Sequence, residues 1–208
     1  MIAALTGAQV DQAFARRTEP TKALGRDAEA VGRACYDMAL RFHRGGRLLC
    51  FGNGSAAADA AHIVVEFVHP VIMGKRALPA VSLANDAAAI SGIARCAGVE
   101  DSFAAQLRLL AAPDDIALGI SADGQCPNVA RALEAARDAG LLTVALVGGQ
   151  GDQGGRIARI PRLDHVLVAR SDDPRVVKEI HVTTYHVLWE LVHVFFEQPG
   201  VLAPRVLG

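Results

Sequence analysis

Residues 47–69, RLLCFGNGSAAADAAHIVVEFVH, hold a short apolar run, a glycine turn and a helical pattern in direct succession. The run 47–52 has the length and composition of a buried strand, and the glycines at 52 and 54 mark the turn that follows it. The pattern after the turn predicts a helix that carries His62 and Glu66 one turn apart on one face. The stretch therefore predicts a strand, a turn and a helix whose N-terminus can receive a ligand.

The same succession of strand and helix continues along the chain. Four further apolar runs predict strands, at 79–84, 115–121, 141–148 and 164–169. Helical patterns follow the first two of these runs, and a glycine-rich loop follows the third. Strands this uniformly apolar are typical of a parallel sheet with helices on both faces. We therefore predict an α/β fold, a three-layer αβα sandwich with a mostly parallel sheet.

Helical patterns also flank the predicted sheet at both ends. The N-terminal pattern is expected to break near Pro20, because proline removes a backbone donor. No linker or low-complexity stretch divides the chain. We therefore predict one domain over residues 1–208, made of a helical region (1–45), an α/β core (46–172) and a C-terminal helix (173–198).

Composition limits the class of protein. The chain has 208 residues, 51% of them hydrophobic, and a formal net charge of −1. This balance gives no electrostatic footprint for nucleic acid or an anionic membrane, and no apolar run reaches membrane-spanning length. Its 4 cysteines lie far apart, which is typical of free thiols in a reducing compartment. We predict a cytoplasmic protein that binds a small molecule, and neither nucleic acid directly nor a membrane.

Two turns at the predicted sheet edge supply candidate ligand groups. Residues 52–55 and 121–126 each leave a strand and open a helix, where free backbone N–H groups and the helix dipole favour an anion. Ligands of such sheets bind beyond the carboxyl ends of the strands. Asp123 in the second turn would repel a phosphate unless a cation intervenes. It could instead cap the helix that follows.

Two helices carry candidates for acid–base chemistry. His62 and Glu66 could shuttle protons, bind a metal, or form an ordinary solvated pair. The C-terminal helix carries Lys178 and His186 among further charged residues. From the residues alone, the chain is an α/β small-ligand protein with acid–base candidates and no assigned reaction.

Three segments resemble motifs of the sugar isomerase (SIS) domain, in its phosphoheptose isomerase branch. FGNGSAAADAAHIVVEF (51–67) resembles G-N-G-G-S-x-x-D-A-x-H-x-x-x-E. LGISADGQCPNVARALEAARDAG (118–140) resembles G-I-S-T-S-G-N-S-x-N-V-x-x-A, and VVKEIHVTTYHVLWELV (176–192) resembles I-Q-E-x-H-x-x-x-x-H-x-L. The motifs occur in the family's order over most of the chain, and the resemblance implies the SIS fold.

The resemblance also implies an activity. It is an aldose–ketose isomerisation of a phosphosugar through an enediol, from sedoheptulose 7-phosphate to D-glycero-D-manno-heptose 7-phosphate or a related sugar. Glu66 would be the catalytic base that moves the proton between C1 and C2, and His186 the acid/base partner. The family further implies a homotetramer with sites where subunits meet. Some members bind zinc at the positions held here by His62, Glu66, Lys178 and His186.

Several positions depart from the family's pattern, most of them where the sugar phosphate would bind. The substrate-binding positions that we assign by the resemblance are Asn53, Gly54, Ser55, Arg95, Ser121, Asp123, Cys126 and Lys178. Asp123 stands in place of a serine. Arg95 and Lys178 could offset its charge, or it could exclude phosphate in favour of a neutral or cationic sugar derivative.

Lys178 replaces a glutamine that would ligate zinc in the family. A protonated ammonium is no ligand, so we expect no certain cofactor, with a three-residue zinc site of His62, Glu66 and His186 as the alternative.

Two functions stay open at this point. The retained Glu66 and His186 favour an isomerase. The altered turn favours a non-catalytic SIS protein, a sugar-phosphate-binding adaptor or regulator that resembles the tetrameric replication-initiation regulator of this branch.

Overall fold

The computed structural model of the chain, which describes residues 6–149, 154–198 and 200–202, contains one parallel sheet. Its strands are β1 (Leu48–Gly52), β2 (Ala80–Ser82), β3 (Ile116–Ser121), β4 (Leu142–Gly148) and β5 (His165–Ala169). They lie in the order β2-β1-β3-β4-β5, and every neighbouring pair is parallel. Each strand falls inside one of the predicted apolar runs, so the predicted α/β fold is confirmed.

Helices cover both faces of this sheet. They are α1 (Gly7–Arg26), α2 (Ala28–His43), α3 (Ser55–Val68), α4 (Ala87–Ala97), α5 (Ala104–Leu110), α6 (Pro127–Asp138) and α7 (Pro174–Glu197). None of the helices in the described part of the chain is long and apolar enough to cross a membrane. Residues 150–153 of the predicted glycine-rich loop and residues 1–5 of the N-terminal region lie outside the described residues.

Helix α1 is continuous through Pro20, so the predicted break there is wrong. Proline removes one hydrogen bond of the helix, and tertiary contacts outweigh that loss here. The helix packs along α7, where the Arg17 guanidinium binds both carboxylate oxygens of Glu179, at 2.6 and 2.7 Å. The chain leaves the first helix at Asp27 instead, which begins the turn into α2.

The side chains of the central strands alternate between two core layers. Leu48 and Cys50 of β1 face α2, α3 and α7, whereas Leu49 and Phe51 face α5 and α6. All residues of β3 and β4 are buried as well. Burial on both faces is the reason these strands are apolar at every position rather than at alternate ones.

The turn after β1 requires two glycines. A Cβ atom on Gly52 would lie 2.8 Å from the Ala56 Cβ and 2.9 Å from the Ile120 carbonyl oxygen. Gly54 has a φ of 56°, in the left-handed region that other residues avoid. Because β1 pairs directly with β3, this turn lies beside the turn that follows β3. The fold thus brings the two predicted ligand turns to one edge of the sheet.

Candidate active site

His62, Glu66 and His186 form one cluster within a single chain. Helix α3 carries the first two and α7 the third, and one potential ligand atom from each side chain lies within 4.8 Å of the other two. The Nε2 of His62 is 3.2 Å from Oε1 of Glu66, and the rings of His62 and His186 are 5.2 Å apart between centroids. A carboxylate and two imidazoles are groups that exchange protons near neutral pH.

Helix α7 holds this cluster in place through two aromatic side chains. The indole N–H of Trp189 donates to the backbone carbonyl of Glu66 at 2.8 Å, and the Tyr185 hydroxyl lies 2.8 Å from Nδ1 of His62. Burial raises the pKa of Tyr185, and the negative charges of Asp59 and Glu66 act in the same direction. Tyr185 is therefore a neutral hydroxyl. Residue spacing carries no signal for Tyr185, because its role depends on how α3 and α7 pack.

Lys178 belongs to a different contact from the one that the resemblance implies. Its ammonium donates to the backbone carbonyl of Ser55 at 2.9 Å and forms an ion pair with Asp59. The Asp59 side chain is only 5% exposed, so a cation beside it offsets the cost of burying its charge. Lys178 thus compensates Asp59 rather than Asp123.

The two turns enclose a cleft at the sheet edge. The side-chain amides of Asn53 and Asn128 bond each other in both directions, at 2.8 and 2.9 Å, and so tie the first turn to the start of α6. The cleft beside them measures about 300 Å³. It is lined by Asn53, Ser55, Ala56, Ile120, Ser121, Ala122, Asp123, Cys126 and Pro174. Five of the predicted substrate-binding residues therefore share one cleft, with Gly54 in the turn that forms it.

Asp123 accepts hydrogen bonds from donors of the second turn that could otherwise bind a ligand. Its Oδ1 accepts from the Ser121 hydroxyl at 3.1 Å and from the backbone N–H of Gln125 at 2.9 Å. Helix α6 begins after Cys126, which makes no side-chain cap, so the prediction that Asp123 caps this helix is wrong. Asp123 stands too far upstream to reach the first free N–H groups of α6, and its carboxylate closes the turn instead.

Arg95 is not brought to the cleft. It lies on the exposed side of α4, and within the described ranges it forms no hydrogen bond or ion pair.

Sequence reasoning did not identify Arg159 as a candidate ligand group. It lines a second cleft of about 360 Å³, which adjoins the first along Ala122, Asp123 and Pro174. Its position just after the glycine-rich loop, at the same sheet edge, was the available signal.

His62, Glu66 and His186 could hold a metal ion, but the hydrogen bonds of the cluster compete with one. A zinc-bound histidine offers a nitrogen lone pair. Here Nε2 of His62 faces the Glu66 carboxylate, and an N–H group at Nε2 would satisfy this contact and leave no lone pair there for a metal ion. The family's fourth ligand position is an ammonium that is already paired with Asp59. We therefore derive no step through a metal ion.

Comparison with known proteins places this chain in one protein family. The SIS domain model matches residues 15–148. The phosphoheptose isomerase of Solidesulfovibrio magneticus is 41% identical over 178 residues, which cover 85% of this chain and 84% of that protein. The chain therefore belongs to the SIS domain family, in its phosphoheptose isomerase branch, as its three motifs indicated.

Solved structures agree with this assignment. A phosphoheptose isomerase from Francisella tularensis superposes with a TM-score of 0.82 at 26% identity, covering 91% of this chain and 100% of that one. The phosphoheptose isomerase of Neisseria gonorrhoeae gives 0.80 at 27% identity, with 89% and 97% covered.

Proposed function

We propose that this chain isomerises a ketose phosphate to an aldose phosphate, with sedoheptulose 7-phosphate or a closely related sugar as substrate. The observation that carries the proposal is the cluster of Glu66 and His186 in a chain whose relatives are named phosphoheptose isomerases. A non-catalytic regulator is not favoured, because such a protein would have no need to keep a base and an imidazole together.

The two residues can carry both halves of the reaction. Glu66 takes a proton from C1 of the ketose while His186 donates its N–H proton to O2, which gives an enediol. His186 then takes the proton from O1, and Glu66 returns its proton to C2. The product is the aldose, and both residues end in their starting protonation states.

The surroundings of Glu66 suit this role. Its side chain is 15% exposed, so it is largely shielded from solvent yet open on one side. The bond from His62 occupies one carboxylate oxygen, and Trp189 anchors its backbone. A base fixed in this way needs little reorientation before it takes the proton, so less entropy is lost on reaching the transition state.

The chain is proposed to act as a homotetramer. Large apolar side chains are exposed along the end of α3 and the segment after it: Val65, Val68, Val71, Ile72 and Met73. Helix α4 has no buried residue in the single chain. Contiguous apolar surface of this kind usually lies at an interface between subunits. The cytoplasmic location and the single-domain organisation stay predictions.

The first experiment follows proton exchange at C1 of sedoheptulose 7-phosphate in heavy water by NMR, with protein freed of metal by a chelator. We expect the C1 proton signal to decay and an aldose signal to grow. A C1 signal that stays constant over many hours, with and without added zinc, would refute the proposed reaction for this substrate.

Asp123 is predicted to weaken phosphate binding. Replacement Asp123→Ser removes a negative charge and frees the Ser121 hydroxyl and the Gln125 N–H. We expect the KM for sedoheptulose 7-phosphate to fall by roughly tenfold, since each freed donor can form a charge-assisted bond with the phosphate.

Asp172→Ser is the matched control for this variant. Asp172 lines the adjoining cleft and not the one between the two turns, so its replacement removes an equal charge without freeing a donor of the second turn. Its KM should stay near the wild-type value. An unchanged KM in Asp123→Ser would mean that the phosphate binds elsewhere.

A further inference from the structure

Tyr185 has a fully buried side chain with a hydroxyl at the cluster. The residue is 0% exposed, and its hydroxyl oxygen lies 2.8 Å from Nδ1 of His62. In the described part of the chain, this nitrogen is the hydroxyl's hydrogen-bond partner. A buried O–H that does not donate loses a hydrogen bond that water would otherwise supply. The Tyr185 hydroxyl is therefore best satisfied as the donor, with Nδ1 of His62 as acceptor.

The other side of the His62 ring leads to the same arrangement. Nε2 lies 3.2 Å from the Glu66 carboxylate oxygen, and an ionised carboxylate can only accept. A neutral imidazole has one N–H group and one lone pair. Placing the hydrogen on Nε2 satisfies both contacts at once. The opposite tautomer would set a lone pair against the carboxylate and leave the buried hydroxyl without an acceptor.

We propose that Tyr185 is a positioning residue that holds His62 as the Nε2–H tautomer, so that His62 donates to Glu66 instead of offering a lone pair to a metal ion. The proposal rests on the proposed function only for the role of Glu66 as base. The chain of bonds runs from the Tyr185 hydroxyl through the imidazole to the carboxylate. It fixes one oxygen of Glu66 and leaves the other for the substrate.

The same hydrogen bonds oppose the binding of a metal ion at this cluster. A metal ion on Nε2 of His62 would require the proton to move to Nδ1, where it would face the Tyr185 hydroxyl. That hydroxyl would then have to accept, and its own hydrogen would lose its partner. Tyr185 thus favours a metal-free cluster, in keeping with the ammonium of Lys178 at the position of the family's glutamine.

The tautomer can be measured directly in the wild-type protein. Histidine-selective 15N labelling of metal-free protein, with long-range 1H–15N correlation spectra, reports which ring nitrogen carries the proton. The His62 signals are assigned by their loss in His62→Gln. We expect Nε2 of His62 to be protonated and Nδ1 to be unprotonated. A protonated Nδ1 with a bare Nε2 would overturn the proposal, and this test needs neither turnover nor a stable tyrosine variant.

Tyr185→Phe removes the hydroxyl and keeps the ring, which packs at 4.7 Å between centroids against His186. We expect His62 to become a mixture of tautomers and zinc to bind roughly fivefold more tightly, because one opposing hydrogen bond is gone. The kcat should fall by about tenfold with little change in KM, as expected for a displaced base rather than lost substrate contacts. Zinc affinity is measured by competition with a chromophoric chelator.

Tyr36→Phe is the matched control. Tyr36 is the other of the chain's 2 tyrosines, and it lies on α2, where its ring contacts Phe195. It should match wild type in tautomer, zinc affinity and kcat. If Tyr185→Phe behaves like Tyr36→Phe in both the tautomer and the zinc titration, the proposed role of Tyr185 is wrong. Failure of the proposed reaction would look different: wild type would show the expected tautomer but no C1 exchange.

Discussion

Replacement of Glu66 by glutamine is expected to lower the rate of C1 proton exchange by about a thousandfold, because a neutral amide cannot take a carbon-bound proton. Glutamine keeps the length of the side chain, and its carbonyl oxygen can still accept from Nε2 of His62. The cluster should therefore keep its geometry and lose only its base. We expect KM for sedoheptulose 7-phosphate to change little, so that the loss appears in kcat. Exchange in heavy water and steady-state kinetics measure both quantities.

Glu190→Gln is the matched control for the loss of a glutamate. Glu190 lies exposed on α7, one turn beyond His186, and contacts none of the proposed reacting groups. Its activity should equal that of wild type. If Glu66→Gln retained activity within about tenfold of wild type, proton transfer would have to use another base, and the assignment of Glu66 would fail.

The strands and the first turn could be predicted because their signals are local. An apolar run such as 115–121 predicts a strand whatever surrounds it, and Gly52 stands directly between such a run and the helix whose Ala56 a Cβ atom on Gly52 would meet. The pairing of His62 with Glu66 also follows from spacing on one helix. Pro20 shows the limit of local reasoning, since the contacts of α1 with α7 decide whether the helix continues.

The partners of the site's side chains could not be predicted from the same signals. Asp59 and Lys178 lie 119 positions apart, and their contact exists only because α7 packs across the start of α3. His186 was placed at the cluster by resemblance to a motif, whereas Tyr185 beside it matched none. Asp123 was recognised as a departure, but its use of the Ser121 and Gln125 donors depends on the geometry of the closed turn.

Lys178→Met is expected to destabilise the protein by about 2 kcal/mol, because it leaves the buried Asp59 carboxylate without a cation. The full cost of breaking a buried ion pair is greater, but the Lys178 side chain is 36% exposed and water can replace part of its effect. Methionine keeps most of the apolar stem of lysine, so packing is largely preserved. The measurement is urea unfolding at a fixed protein concentration, since an oligomer's stability depends on concentration.

Lys75→Met is the control that tests whether burial of the carboxylate partner causes the loss of stability. Lys75 also pairs with a carboxylate, but its partner Glu197 has a side chain that is 57% exposed, so we expect a loss below about 1 kcal/mol. Adding Asp59→Asn to Lys178→Met should recover part of the lost stability, because the uncompensated charge is then gone. If Lys178→Met were as stable as Lys75→Met, Asp59 would not depend on this cation. The Lys178 ammonium would then be available to the substrate, and a purely structural role for Lys178 would be wrong.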